Sequence, residues 1–145
     1  MKIQEQDIYH GPALMQIVEH ESFKALNRVD KKYGHYLVNT DVKLWFKYST
    51  NDGTVWTFTF QLGDLVALKE DLALKGATHV VLACGHHSIC CLSAEEVSKL
   101  IDTEASEPQW VKIEAPPKRQ MRVTGSLSKK NATLVPHNKF PNCIF

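Results

Sequence analysis

The runs YLVNT (36–40), VKLWFKYST (42–50) and TVWTFTFQL (54–62) decide how this chain folds. Successive side chains of a strand point to opposite faces, so period-two alternation marks a strand with one face buried. In the second run Val42, Leu44, Phe46 and Tyr48 share one face, and Asp41, Lys43, Trp45 and Lys47 share the other. In the third, Trp56, Phe58, Phe60 and Leu62 form a large apolar face, opposed by Val55, Thr57, Thr59 and Gln61. β-Branched and aromatic residues suit such half-buried pleated surfaces. Asn51-Asp52-Gly53 lies between the last two runs, and Asp-Gly in that position is a strong hairpin signal. The stretch therefore predicts a three-strand meander whose apolar face is covered by helices.

Working outward, Gly11-Pro12 predicts a helix start, since proline is tolerated at the first helical position. Leu14, Ile17, Val18, Phe23 and Leu26 then recur at spacings that cover one face of the meander. After the meander, Gly63-Asp64 predicts an N-cap, Leu65, Val66, Leu68 and Leu72 a second amphipathic helix, and Gly76 its C-cap. ATHVVLAC (77–84) suits a strand buried on both faces. Gly85-His86-His87-Ser88 reads as a tight turn into ICCLS, and Ser93 with Glu96 forms a capping box that starts a third helix at Ala94. QWVKIEA and RQMRVTG are strand-like, separated by Pro116-Pro117, and 126–145 reads as mostly extended loop.

The chain has 145 residues, 43% hydrophobic, with a net charge of +1. That length usually means one domain and buries roughly two-thirds of the unfolded surface without help from metals or disulfides. No apolar run reaches the roughly 20 residues needed to cross a bilayer, and the polar start MKIQEQD lacks a secretion signal's apolar core. A cytoplasmic location is therefore expected. The four cysteines, Cys84, Cys90, Cys91 and Cys143, have no disulfide-framework spacing and are expected to be thiols or metal ligands. The expected fold class is α/β (α+β): a mixed central sheet flanked by helices over 1–103. An irregular basic C-terminal extension, 104–145, packs on the same domain.

The order helix, three-strand meander, helix, strand over residues 12–84 resembles the α-β-β-β-α-β core of the restriction-endonuclease-like, or PD-(D/E)XK, superfamily. The resemblance is one of element order and covers a little over half the chain. It implies an acid near the start of the second strand and a (D/E)-x-K pair on the third, which hold magnesium and activate water through hard oxygen ligands. Asp41 stands where the first acid belongs, at the entry to VKLWFKYST. On the third strand the available residues are Thr57, Thr59 and Gln61, none of them charged, while Lys43 and Lys47 sit one strand earlier. Glu19 or Glu21 supplies a second carboxylate in such a fold. The resemblance thus implies a rearranged or degenerate nuclease site made of Asp41, Lys43, Lys47, Gln61 and Glu19 or Glu21. In an active form magnesium would sit at Asp41, and Lys47 would polarise the phosphate. The alternative for Asp41, Lys43 and Lys47 is a solvated strand face. Trp45, a large aromatic among lysines, is the residue type on which a base or a partner stacks.

Two further constellations stand outside that site. Cys84, His87 and Cys90 are zinc-ligand types, and two residues separate His87 from Cys90. Only His137 and Cys143 follow as further ligands, so the competing reading is buried thiols in two strands beside an exposed turn. From Lys112 to Lys139 the tail carries seven basic side chains against Glu114 alone. Such a segment attracts phosphates, with Arg119, Arg122, Lys129 and Lys130 as the expected contacts, or docks on another protein. No phosphate loop, paired CxxC or G-x-S-x-G is present. The expected function is nucleic-acid association by a nuclease-like domain, with DNA or a protein of a nucleic-acid-processing system as partner. The alternatives are a regulatory protein-interaction subunit and an active Mg-dependent phosphodiesterase.

Overall fold

A computed structural model describes residues 1–29, 34–74 and 77–145. The charged link around 30–33 and the Gly76 C-cap lie outside the described residues. The elements run α1 (Glu5–Val18), β1 (Leu26–Arg28), β2 (His35–Val38), β3 (Val42–Ser49), β4 (Val55–Phe60), α2 (Leu62–Ala73), β5 (Ala77–Cys84), β6 (Ser88–Ser93) and α3 (Ala94–Leu100). β7 (Gln109–Glu114), β8 (Met121–Gly125), β9 (Ser128–Val135) and a short 3-10 turn (Asn142–Ile144) complete the chain.

The fold is α+β, with three helices and two sheets among the described residues. The first sheet is mixed, in the order β1-β2-β3-β5-β6, and only the β3–β5 pairing is parallel. The second is antiparallel, in the order β4-β7-β8-β9.

The expected β3–β4 hairpin does not form, because β4 leaves the first sheet and pairs with β7 from Val55↔Glu114 to Phe60↔Gln109. The physical reason lies in the faces. β3 is apolar on both sides, with Leu44 and Phe46 buried one way and Trp45 the other, so it belongs inside a sheet covered on both faces. The place beside it goes to β5, equally apolar, which pairs from Val42↔Ala77 to Ser49↔Cys84. β4 alternates strictly, burying Trp56, Phe58 and Phe60 and exposing Val55, Thr57 and Thr59, and so suits a sheet wet on one side. Residues 50–54 become an arch between sheets, where Trp56 Nε1 donates to Asn51 O at 2.8 Å.

α1 begins at Glu5, one turn and more before the expected start, and Pro12 lies inside it. The Gln4 N–H donates to Asp7 Oδ2 at 2.9 Å, and first-turn acids favour the positive helix end, so these signals outweigh the one at Pro12. α1 buries Ala13 and Ile17 on Leu44, Phe46 and Val81. α2 begins at Leu62, its Gln61 N–H capped by Asp64 Oδ2 at 3.0 Å. α3 starts as expected, with Ser93 Oγ accepting from Glu96 N–H at 3.2 Å and Ser93 N–H donating to Glu96 Oε1 at 3.0 Å.

The tail is not an irregular extension: β9 pairs with β8 from Met121↔Val135 to Gly125↔Ser128, across a bulge between Val123 and Gly125. With β4, the three strands β7, β8 and β9 build the second sheet, whose Val111, Ile113, Met121 and Val123 share one core with Trp45, Leu82 and Leu92 of the first. Among the described residues no helix is long and apolar enough to cross a membrane.

Candidate functional site

The residues of the expected nuclease-like site go to separate places. Lys43 is held by Asp71 of α2, Nζ to Oδ1 2.8 Å, and Trp45 Nε1 donates to Oδ2 of the same carboxylate at 2.7 Å. Trp45 is 3% exposed and packs in the core against the His35 ring, so it offers no face to a base. Lys47 pairs with Asp64 at 3.3 Å and lies over the Phe60 ring. It lines a cleft of about 340 Å³ with Gln6, His10, Tyr48, Thr57 and Thr59, and among the described residues no carboxylate lines that cleft. Asp41 is exposed in the β2–β3 turn, beside Lys24, Asn39 and Phe145 in another cleft. Gln61 is exposed at the start of α2, Glu19 caps the end of α1, and Glu21 is exposed beyond it.

Asp71 therefore acts as a structural acceptor for two donors. Asp71→Ala leaves the indole N–H and the half-buried ammonium without their shared partner. The expected loss is about 2 kcal/mol, read from urea unfolding.

The Cys84, His87 and Cys90 set does not converge either. Cys84 and Cys90 are fully buried in paired strands, and burial pushes the Cys84 thiol up to about 12 and the Cys90 thiol well above its ordinary value. His87 is exposed in the β5–β6 turn. Among the described residues no group of three or more His, Cys, Asp and Glu is placed to hold a metal ion.

What the fold does assemble is a histidine-lined groove. Gly85 has φ +56°, and a Cβ there would sit 2.7 Å from Asn51 O, so only glycine fits against the arch. The turn it makes carries His86 and His87 outward. The Tyr9 ring from α1 stacks between Tyr48, at 4.8 Å, and His86, at 5.0 Å. From the segment after β9, His137 reaches Ser88 at the head of β6: Oγ to Nδ1 is 2.7 Å. His137 Nε2 lies 3.1 Å from the Arg119 carbonyl, which can only accept. Nε2 must then carry the proton, and in the neutral ring Nδ1 accepts from the Ser88 hydroxyl. The exposed His87 ring lies 6.2 Å from the His137 ring and 5.6 Å from that of Trp56.

Two clefts meet at these rings. The first, about 550 Å³, is lined by Ile8, Tyr9, His86, His87, Ser88, Ile89, His137 and Phe140 among others. The second, about 590 Å³, shares His87 and His137 and adds Lys118, Arg119 and Gln120. Among the described residues, no carboxylate lines either. Of the four expected phosphate contacts only Arg119 lines this groove. Arg122 is exposed on β8 opposite Glu114, and Lys129 and Lys130 are exposed on the edge strand β9. The sequence places His86 and His87 in a turn and offers His137 only as a metal ligand. Tyr9 and Ser88 carried no signal, because what joins them to the histidines is the meeting of α1, the β5–β6 turn and the C-terminal segment.

Comparison with protein-family models, with curated proteins and with solved structures returned no match for this chain.

Proposed function

We propose that this protein is a nucleic-acid-associated module that holds a single strand in the histidine-lined groove and has no metal-dependent cleavage site on β3. One observation carries the reading: adjoining clefts present three imidazoles, Lys118 and Arg119, and among the described residues no carboxylate lines them. Phosphates are attracted to such a groove, and the Tyr48–Tyr9–His86 stack ends in an exposed ring on which a base can lie. Of the expected meander, β2 and β3 pair and β5 runs parallel to β3, which keeps part of the element order that resembles the restriction-endonuclease-like superfamily, while β4, its third strand, stands in the second sheet. The Lys47 cleft, which no carboxylate lines among the described residues, supports a degenerate form of that superfamily.

The test is fluorescence-anisotropy binding of a labelled single-stranded oligonucleotide across a salt series. Affinity is expected to fall linearly in log–log form, by about 0.7 in slope per phosphate contact. The charge reversal Lys118→Glu/Arg119→Glu should flatten that slope, while Lys129→Glu/Lys130→Glu should change it less. A flat salt response in the wild type rejects the reading in favour of a protein partner.

A further inference from the structure

The Ser88–His137 pair does something that strand binding does not need. A serine hydroxyl 2.7 Å from a ring nitrogen, with the other nitrogen tied to a backbone carbonyl at 3.1 Å, is a hydroxyl aimed at a base of fixed tautomer. Carbonyl orientation of the ring is the part an aspartate plays in serine hydrolases. The pair is not a buried structural bond: Ser88 and His137 line an open cleft, and Ser88 begins β6 at the edge of the turn. Beside them Ile8, Pro12, Ile89 and Phe140 form an apolar wall, and the exposed His87 ring stands with its centroid 6.2 Å from that of His137.

We propose that Ser88 is a nucleophile toward carboxylic esters with a short apolar acyl group. Ser88 Oγ attacks the carbonyl carbon while its proton passes to His137 Nδ1. The tetrahedral oxyanion is met by the His87 N–H, and the C–O bond to the leaving alcohol then breaks as His137 returns the proton to that oxygen. The product is an acyl ester on Ser88, which water hydrolyses with His137 again taking and returning the proton. Arg119 is a positioning residue through its carbonyl, and its side chain takes no part. This activity is independent of the nucleic-acid reading, and either stands if the other falls.

The probe is p-nitrophenyl butyrate with the purified full chain, followed by release of nitrophenolate and by mass spectrometry of the trapped protein. Expected are a burst and a butyryl group on the peptide containing Ser88. Ser88→Ala should abolish both, and His137→Gln should slow acylation about 100-fold while circular dichroism stays that of the wild type. A fluorophosphonate should label wild type at Ser88, which keeps the test decisive if either variant fails to fold. Equal turnover by wild type and Ser88→Ala, or acyl groups found only on lysine or histidine, overturns the proposal.

Discussion

Gly125→Ala is expected to cost about 3 kcal/mol of stability, at the upper end of what overpacking a core with one methyl does. Gly125 ends β8, where the second sheet meets the last turn of α3. A Cβ there would lie 2.2 Å from Leu100 O, 2.9 Å from Leu100 C and 3.0 Å from its Cβ. Leu100 is fully buried, and its carbonyl accepts from Leu127 N–H at 2.9 Å. The backbone cannot yield without withdrawing α3 from both sheets and breaking that bond. For a domain of this size the change corresponds to a fall of roughly 10 °C in Tm. Gly63→Ala is the control with opposite sign: nothing stands within 4 Å of its Cβ, and the position is inside α2, where alanine gains up to about 1 kcal/mol over glycine. Equal Tm values for Gly125→Ala and wild type would mean that α3 does not sit on the second sheet as described.

That contact is invisible in the sequence, and the same reason applies wherever the structure departs from the sequence's local signals. Local signals are legible where one strand or one helix end decides them: the strict alternation of 55–60, the Ser93–Glu96 box, and the doubly apolar 77–84. They fail where partners far apart in the chain compete. Asp52-Gly53 is a good two-residue turn, yet β5 matches the double burial of β3 better than β4 does, and long-range pairing overrides the turn. SKKNATLV has no apolar alternation, because β9 is an edge strand with one partner, and only its register against β8 reveals it. The same holds for the site. In the sequence Lys43 and Lys47 read as lysines of a nuclease-like site or as a solvated strand face, whereas α2 supplies Asp71 and Asp64 as their partners. Ser88 and His137 lie 49 residues apart, and nothing in their spacing announces that they touch.

Lys139→Met is expected to destabilise the protein by about 3 kcal/mol, and to do so most at neutral pH. The Lys139 ammonium bonds Glu96 Oε1 and donates to the Cys91 carbonyl at 3.1 Å, fastening the C-terminal segment to β6 and α3. Both side chains are about three-quarters buried, at 25% and 22% exposure, so removing the cation strands a carboxylate largely out of water, the costly way to break a pair. Burial pushes the Glu96 carboxyl up, but Lys139 and the Ser93 cap outweigh it and hold it below its ordinary value. A depressed carboxyl contributes stability above its unfolded value and loses it as pH falls through the folded one. The gap between wild type and Lys139→Met should therefore narrow in acid, where Glu96 is protonated in both. His79 and His10 steepen the acid limb of the wild type: burial lowers both, and the Lys139 charge lowers His79 further. Below about 6.5 the unfolded chain binds protons that these folded rings refuse. Urea midpoints of both proteins from pH 4 to 8 measure the gap. The double variant Glu96→Gln/Lys139→Met, which removes both charges, should recover part of the loss. Because His137 lies two residues before Lys139, hydrogen exchange of 136–145 and acylation of Ser88 should report release of the same segment. A Lys139→Met protein with wild-type stability and an unchanged Ser88 burst would show that the tail is held by its apolar contacts at Phe140 and Ile144 alone.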